Sequence, residues 1–262
     1  MKTFDPYDIS LYDIDPINTI TWVKPTMLTD KRAMTPFNPA TEHNYQGLNQ
    51  MNLYLPQLQE LRGDADYIPD LRYLTEKQIA KYNGEVDPRS ALIITFACNN
   101  IVKRYRVYNM SLIHWYGNEP FTEYKLEKGV KPDFIKPDIR VITGLILPSY
   151  VPHENRVYVP KSEYCVTYAR YMETILHEII HWTRHNIDEC HRCLPYPMEE
   201  LVACIGSAMI MDRVGIETSE GQEKMILDYI RTWVNALIDK DSKQAAIAEA
   251  TEYAKIAVAN LL

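Results

Sequence analysis

The chain reads as an α+β protein of two domains, and three observations predict it. Ala91–Ala97 and Ile101–Tyr108 are two β-rich runs separated by Asn99-Asn100, the pattern of paired strands around a turn. From Ser162 onward the apolar residues recur at helical rather than strand spacing. Between these regions Lys128–Asp138 holds two Lys-Pro pairs and many charges, which marks a linker. The expected domains are residues 1–130 and residues 139–262, the second with a small antiparallel sheet and several helices.

Each element has its own signal. Residues 1 to about 45 are rich in Pro, Asp, Thr and Asn and read as an extended arm. Gln46–Arg62 has an apolar stripe at Leu48, Met51, Leu55 and Leu58, with Pro56 expected to break or kink the helix. Thr75-Glu76-Lys77-Gln78 fits a capping box that opens a short helix. Arg140–Leu147 and Arg156–Val159 read as antiparallel strands joined by a Pro-containing loop. Ser162 is the expected cap of a long helix to about His185, with Val166, Tyr171, Ile175, Leu176 and Ile179 on its apolar face. Met198–Val214 is a second helix, apolar enough to be buried. Ser219-Glu220-Gly221-Gln222 resembles a capping box for a third, to about Asp239, and an Ala-rich fourth runs from Ser242 to Leu262.

Composition narrows the function classes. The chain has 262 residues, 46% of them apolar, which suits one large or two modest globular domains. Its net charge of −7 is uneven: residues 1–150 hold 17 Lys+Arg against 18 Asp+Glu, and the remainder holds 11 against 17. Neither half is strongly basic, so nucleic-acid binding would need a local patch. Five cysteines without framework spacing, together with an N-terminus that lacks an apolar core, predict a reducing, cytosolic compartment. No apolar run is long enough to span a membrane.

The strongest chemical signal is His177-Glu178-Ile179-Ile180-His181, an H-E-x-x-H inside the long helix. Residues four apart share a helix face, so both imidazoles can reach one Zn2+ ion, and Glu178 can hold and deprotonate a water beside it. A zinc hydrolase site needs a third protein ligand and an open position. Glu200, at the head of the next helix, is the first choice and Glu199 the alternative, the arrangement of gluzincins. The predicted activity is cleavage of a peptide or protein substrate, with Glu178 as general base and His177, His181 and Glu200 as ligands. Strand Arg156–Val159 could offer an edge to an extended peptide, and Tyr164, Tyr168 and Tyr196 are candidate transition-state stabilisers.

Other groups are read more plainly. Cys190 and Cys193 form one C-x-x-C with His185 nearby; without a matching pair this reads as a reduced loop, a second structural zinc being the alternative. Cys204 reads as a small core residue, and His43, His114 and His153 as surface residues of loops or turns. Lys103, Arg104 and Arg106 interleave with Tyr105 and Tyr108 on one strand, where cations can meet phosphates and rings can stack on bases. Trp22, Lys24 and Tyr45 could extend that surface toward single-stranded DNA.

Several of these motifs together resemble the ArdC-type antirestriction proteins of plasmids and phages and the related N-terminal region of TraC primases. Thr174–Thr183 is similar to the family's metal-helix motif, Glu199-Glu200-Leu201-Val202-Ala203 to its E-E-L-x-A segment, and Asn155–Pro160 to the strand before the metal helix. Trp22-Val23-Lys24-Pro25, Tyr45–Asn49 and Arg106–Asn109 resemble shorter N-terminal elements. The resemblance implies an N-terminal single-stranded-DNA-binding domain and a C-terminal zincin-like metallopeptidase domain. Cys204 stands where the family usually has an acid, and the C-H-R-C sequence has no counterpart in it. Two further readings stay open: a non-proteolytic antirestriction protein with a structural or vestigial zinc site, and a zinc peptidase whose N-terminal domain recognises a protein.

Overall fold

A computed structural model describes residues 35–98, 101–187, 194–237 and 243–262. Two compact units emerge, and the chain does not divide between them at one point. One unit runs to Lys128 and takes in Ile142–Leu147; the other comprises Gly129–Val141 and Pro148–Leu262.

The first unit is built on a three-stranded antiparallel sheet. β5 (Leu92–Cys98) and β6 (Ile101–Asn109) form the expected hairpin, with Ile94 opposite Tyr105 and Phe96 opposite Lys103. β3 (Tyr73–Thr75) pairs with the far end of β6. Side chains alternate across a strand, so Val107 joins Tyr45, Leu53, Tyr73 and Ile94 on one face while Tyr108 joins Leu74, Ile79, Met110 and Ile113 on the other. The capping box opens α2 (Glu76–Lys81) as expected: Gln78 Oε1 accepts from the Thr75 amide at 2.9 Å. Three further strand pairs complete the unit's strands, the last of them the end of a four-stranded sheet. β1 (Phe37–Asn38) pairs with β2 (His43–Asn44), β4 (Gly84–Glu85) with β7 (His114–Trp115), and β8 (Glu127–Lys128) with the latter part of β9 (Arg140–Gly144). His43 and His114 are exposed, but on these short strands rather than in loops.

α1 (Leu48–Gly63) departs from its sequence pattern. It continues through Pro56, and the residues it buries are Leu53 and Gln57. Of the expected apolar stripe, Leu48, Met51 and Leu55 are exposed and Leu58 is half-buried. Polar bonds set this orientation. Gln57 meets the Tyr73 hydroxyl at 3.2 Å and accepts from Tyr67 at 2.5 Å, while Asn49 bonds both the N–H and the C=O of Thr95 at 2.8 Å.

The second unit is mostly helical. α3 (Tyr168–Asn186) is capped by Thr167, whose hydroxyl accepts from the Arg170 amide at 3.1 Å. Ser162 instead opens a separate 3-10 turn, and Val166 is exposed ahead of the helix. α4 (Tyr196–Arg213) begins two residues earlier than expected, with Pro197 in its first turn, where the missing N–H costs nothing. Residues 198–211 of α4 are all buried, because α3, α5 (Glu220–Ala236) and α6 (Lys243–Leu261) pack around it. A Cβ on Gly206 would lie 2.8 Å from the Ile180 side chain, so glycine sets the close approach of α3 and α4. Ser219 caps α5 as expected, accepting from the Gln222 amide.

Two more expectations are corrected here. Lys128–Asp138 is no loose linker: Ile135 is buried, as is Ile139 just beyond it, and the Lys136 amide bonds the Leu261 carbonyl at 2.8 Å. β11 (Arg156–Pro160) stands beside β9 in its sheet, in keeping with the expected strand pair, but it also pairs antiparallel on its other side with β10 (Ser149–Val151), a stretch the sequence placed in a loop. Among the described residues no helix is long and apolar enough to cross a membrane.

Candidate metal centre

α3 and α4 meet where their polar residues face one another. Helical spacing puts Glu173, His177, His181 and His185 on one side of α3, and all four line a cleft of about 640 Å³. The first turns of α4 contribute Tyr196, Glu199 and Glu200; α5 contributes Tyr229, Thr232 and Trp233, and β10 contributes Ser149 and Tyr150.

Three donors converge inside. The Nε2 atoms of His177 and His181 lie 3.1 Å apart. Glu200 Oε2 is 3.3 Å from the first and Glu200 Oε1 is 3.6 Å from the second. A tetrahedral ion with bonds of about 2.0–2.1 Å separates its ligand atoms by roughly 3.3–3.4 Å, so these spacings fit one small divalent cation. Among the described residues this trio is the one cluster of His, Cys, Asp and Glu with such geometry, its donor atoms within 4.8 Å of one another. Cys190 and Cys193 lie outside the described residues.

Glu199 has a different place. Its Oε1 lies 3.2 Å from Nδ1 of His181, and its other oxygen accepts from Arg184. The geometry thus separates the paired glutamates: Glu200 faces the ring nitrogens that converge, and Glu199 faces the outer nitrogen of one ring. Glu178 is 6% exposed and lines the cleft beside them.

The electrostatics follow from this crowding. Burial alone would raise the Glu200 carboxyl pKa, but the hydrogen bond and charge of His177, with His181 and the Tyr196 hydroxyl, hold it well below the usual range. Burial would lower His181, yet Glu199, Glu178 and Glu200 outweigh it and raise the imidazole above its ordinary value. The Tyr229 hydroxyl donates to Glu200 Oε2 at 2.8 Å; burial first, and then the Cys204 and Glu200 charges, push that phenol up. Cys204 is buried, as expected, and its Sγ lies 3.8 Å from Nδ1 of His177.

Sequence reasoning missed part of this site. Tyr229 and Trp233 carried no motif; only their i, i+4 spacing on an amphipathic helix could have placed them on one face. Of the three tyrosines suggested as stabilisers, Tyr196 lines the cleft and Tyr164 and Tyr168 do not. The expected peptide edge also moves: β11 is buried throughout, and β10, the outer strand of its sheet, lines the cleft.

The strand residues of the first unit divide. Lys103, Arg104, Tyr105 and Arg106 are all exposed on β6. Register places Lys103 and Tyr105 with Phe96 on one face, and Arg104 and Arg106 with Thr95 and Ile93 on the other. The Phe96 ring meets Tyr105 edge-on at 5.8 Å and His43 at 6.2 Å, two aromatic neighbours the sequence did not suggest. Tyr45, a suggested extension of this surface, is buried in the core. Trp22 and Lys24 lie outside the described residues.

Residues 136–252 match the family described as zincin-like metallopeptidase, and this C-terminal region is a zincin-like domain. The relatives found are those the sequence resemblance names. The DNA primase TraC of Escherichia coli is 25% identical over 264 aligned residues, covering 85% of this chain; the chain spans only 17% of that protein's length. The antirestriction ArdC protein of plasmid R388, in its Mn(II)-bound crystal structure, is 20% identical over 86% of this chain and 88% of its own, with a TM-score of 0.33. Its metal-free structure covers 87% and 90%, at 20% identity and a TM-score of 0.32.

Proposed function

We propose that the second unit is a zinc-dependent metallopeptidase in which His177, His181 and Glu200 hold the ion and Glu178 is the general base. The observation that carries this reading is the convergence of three donor atoms within 4.8 Å, in a cleft that Glu178 also lines. When bound, the ion supplies Lewis acidity and makes water a competent nucleophile near neutral pH. Glu178 takes the proton from the attacking water and passes it to the leaving amine. Ser149 and Tyr150 of the outer strand β10 give an extended peptide a backbone edge to join. Four carboxylates line the cleft, from Glu173, Glu178, Glu199 and Glu200, a wall that repels a phosphate backbone and accepts a polypeptide.

Single-stranded DNA belongs, in this reading, to the first unit. The exposed Lys103, Arg104 and Arg106 supply phosphate contacts, and Tyr105 beside Phe96 supplies a stacking surface, with Trp22 and Lys24 as further contacts. Joined to the ArdC resemblance, the two activities describe an antirestriction factor of a phage or mobile element acting in the bacterial cytoplasm. Elemental analysis of the purified chain tests the centre: one zinc is expected per chain, with loss in His177→Ala and in Glu200→Ala. Metal retained by both variants sinks the ligand assignment, and metal without cleavage of any peptide leaves a structural ion instead. Fluorescence anisotropy of the full chain with a labelled oligonucleotide tests the other half. Failure to bind at low salt would point to a protein partner.

A further inference from the structure

α4 serves both histidines from outside. Glu199 faces Nδ1 of His181 at 3.2 Å, and Cys204, one turn beyond Glu200, puts its sulfur 3.8 Å from Nδ1 of His177. Cys204 is itself only 3% exposed, on a helix closed in by α3, α5 and α6. A neutral histidine that offers Nε2 to a cation carries its proton on Nδ1, and the group that accepts this proton's hydrogen bond fixes the ring. For His181 that group is a carboxylate. For His177 it is sulfur, a weak and uncharged acceptor when present as a thiol.

We propose that Cys204 is the positioning residue of His177, its thiol sulfur accepting the Nδ1–H bond that fixes the ring's tautomer and aim. The inference rests on the metal-centre reading. It makes the two imidazole ligands unequal. His181, backed by the Glu199 carboxylate, is the stronger electron donor; His177, backed by neutral sulfur, donates less and leaves the ion a stronger Lewis acid.

Cys204 also packs in the hydrophobic core, so the test must separate positioning from space filling. The full chain is loaded with Zn2+ or Co2+, and its affinity is measured by competition with a chromophoric chelator. The visible absorption of the Co2+ form reports the ligand field. Cys204→Ala removes the acceptor and should weaken binding about 10-fold or more. Cys204→Asp and Cys204→Asn place an oxygen within reach of Nδ1; each should recover affinity over Cys204→Ala and shift the Co2+ spectrum. Two acceptor variants guard against one that fails to fold. A folded Cys204→Ala protein with wild-type affinity and spectrum overturns the proposal and leaves Cys204 as core filler. So does an affinity loss that neither acceptor variant repairs. A wild-type chain that takes up neither ion overturns the metal-centre reading itself, a pattern distinct from the other two.

Discussion

The two candidate sites are made from similarly compact stretches of sequence, yet one gathers its residues and the other divides them. His177 and His181 meet Glu200 of α4 around one point because helical spacing stacks positions four apart on a single face. Lys103, Arg104, Tyr105 and Arg106 are adjacent in sequence, and a strand sends neighbours to opposite faces. A tight run of functional residue types is therefore a site on a helix only at the right spacing, and on a strand it is two half-surfaces.

The largest effect should come from the gathered site. Glu178→Gln keeps size and polarity but cannot accept a proton, so peptide hydrolysis should fall about 100-fold or more with metal content unchanged. Hydrolysis that survives in the substituted protein removes Glu178 as the base. Next comes the support behind it. Glu199→Gln weakens the partner of His181 Nδ1 and should cost about 10–100-fold in metal affinity, measured by chelator competition; equal affinity would make Glu199 incidental.

pH sharpens the same point. His181 is raised above its ordinary value, so in the metal-free chain its proton favours the folded state at low pH, and that contribution is lost as pH rises through the raised value. Metal needs the unprotonated ring, so affinity should fall as pH drops through the same window, beginning above the ordinary imidazole value. Thermal melts of metal-free and loaded protein across pH should therefore show opposite trends from this group. Parallel trends would argue against His181 as a ligand.

The divided site predicts smaller, separable changes. Tyr105→Ala should cost single-stranded DNA about 1–3 kcal/mol if the ring stacks on a base. Replacing Arg104 and Arg106 by Ser should instead flatten the salt dependence, by about one unit of slope per lost phosphate contact. If both substitutions act alike on the salt slope, the faces do not have distinct roles. Smallest is the cap: Thr75→Ala should lower stability by about 1 kcal/mol in denaturant melts, without touching metal or DNA.

How legible the molecule was depended on whether local chemistry decided the outcome. α3 and its two histidines on one face were legible because the H-E-x-x-H spacing and the helix period coincide. The preference for Glu200 over Glu199 fits the geometry but rested on position along α4, since nothing local tells a ligand from the partner of the other histidine. α1 was misread because its orientation comes from Gln57 and Asn49 bonding distant backbone and side chains, and an apolar stripe carries no trace of that. β10 was missed because three residues between Pro148 and Pro152 look like loop until a partner strand pairs with them. Ser162 and Thr167 are equally good caps by type, and only the backbone chooses Thr167.

The crossing of Ile142–Leu147 into the first unit has a consequence for inheritance. Thr143 and Ile142 pair with Glu127 and Lys128, and Gly144 approaches so closely that a Cβ there would lie 2.8 Å from the Leu126 side chain. A recombination event that joined the first 130 residues to a foreign partner would strip β8 of its partner strand. Exchange of either half between mobile elements must then carry two crossovers, or bring a strand that fits against Leu126.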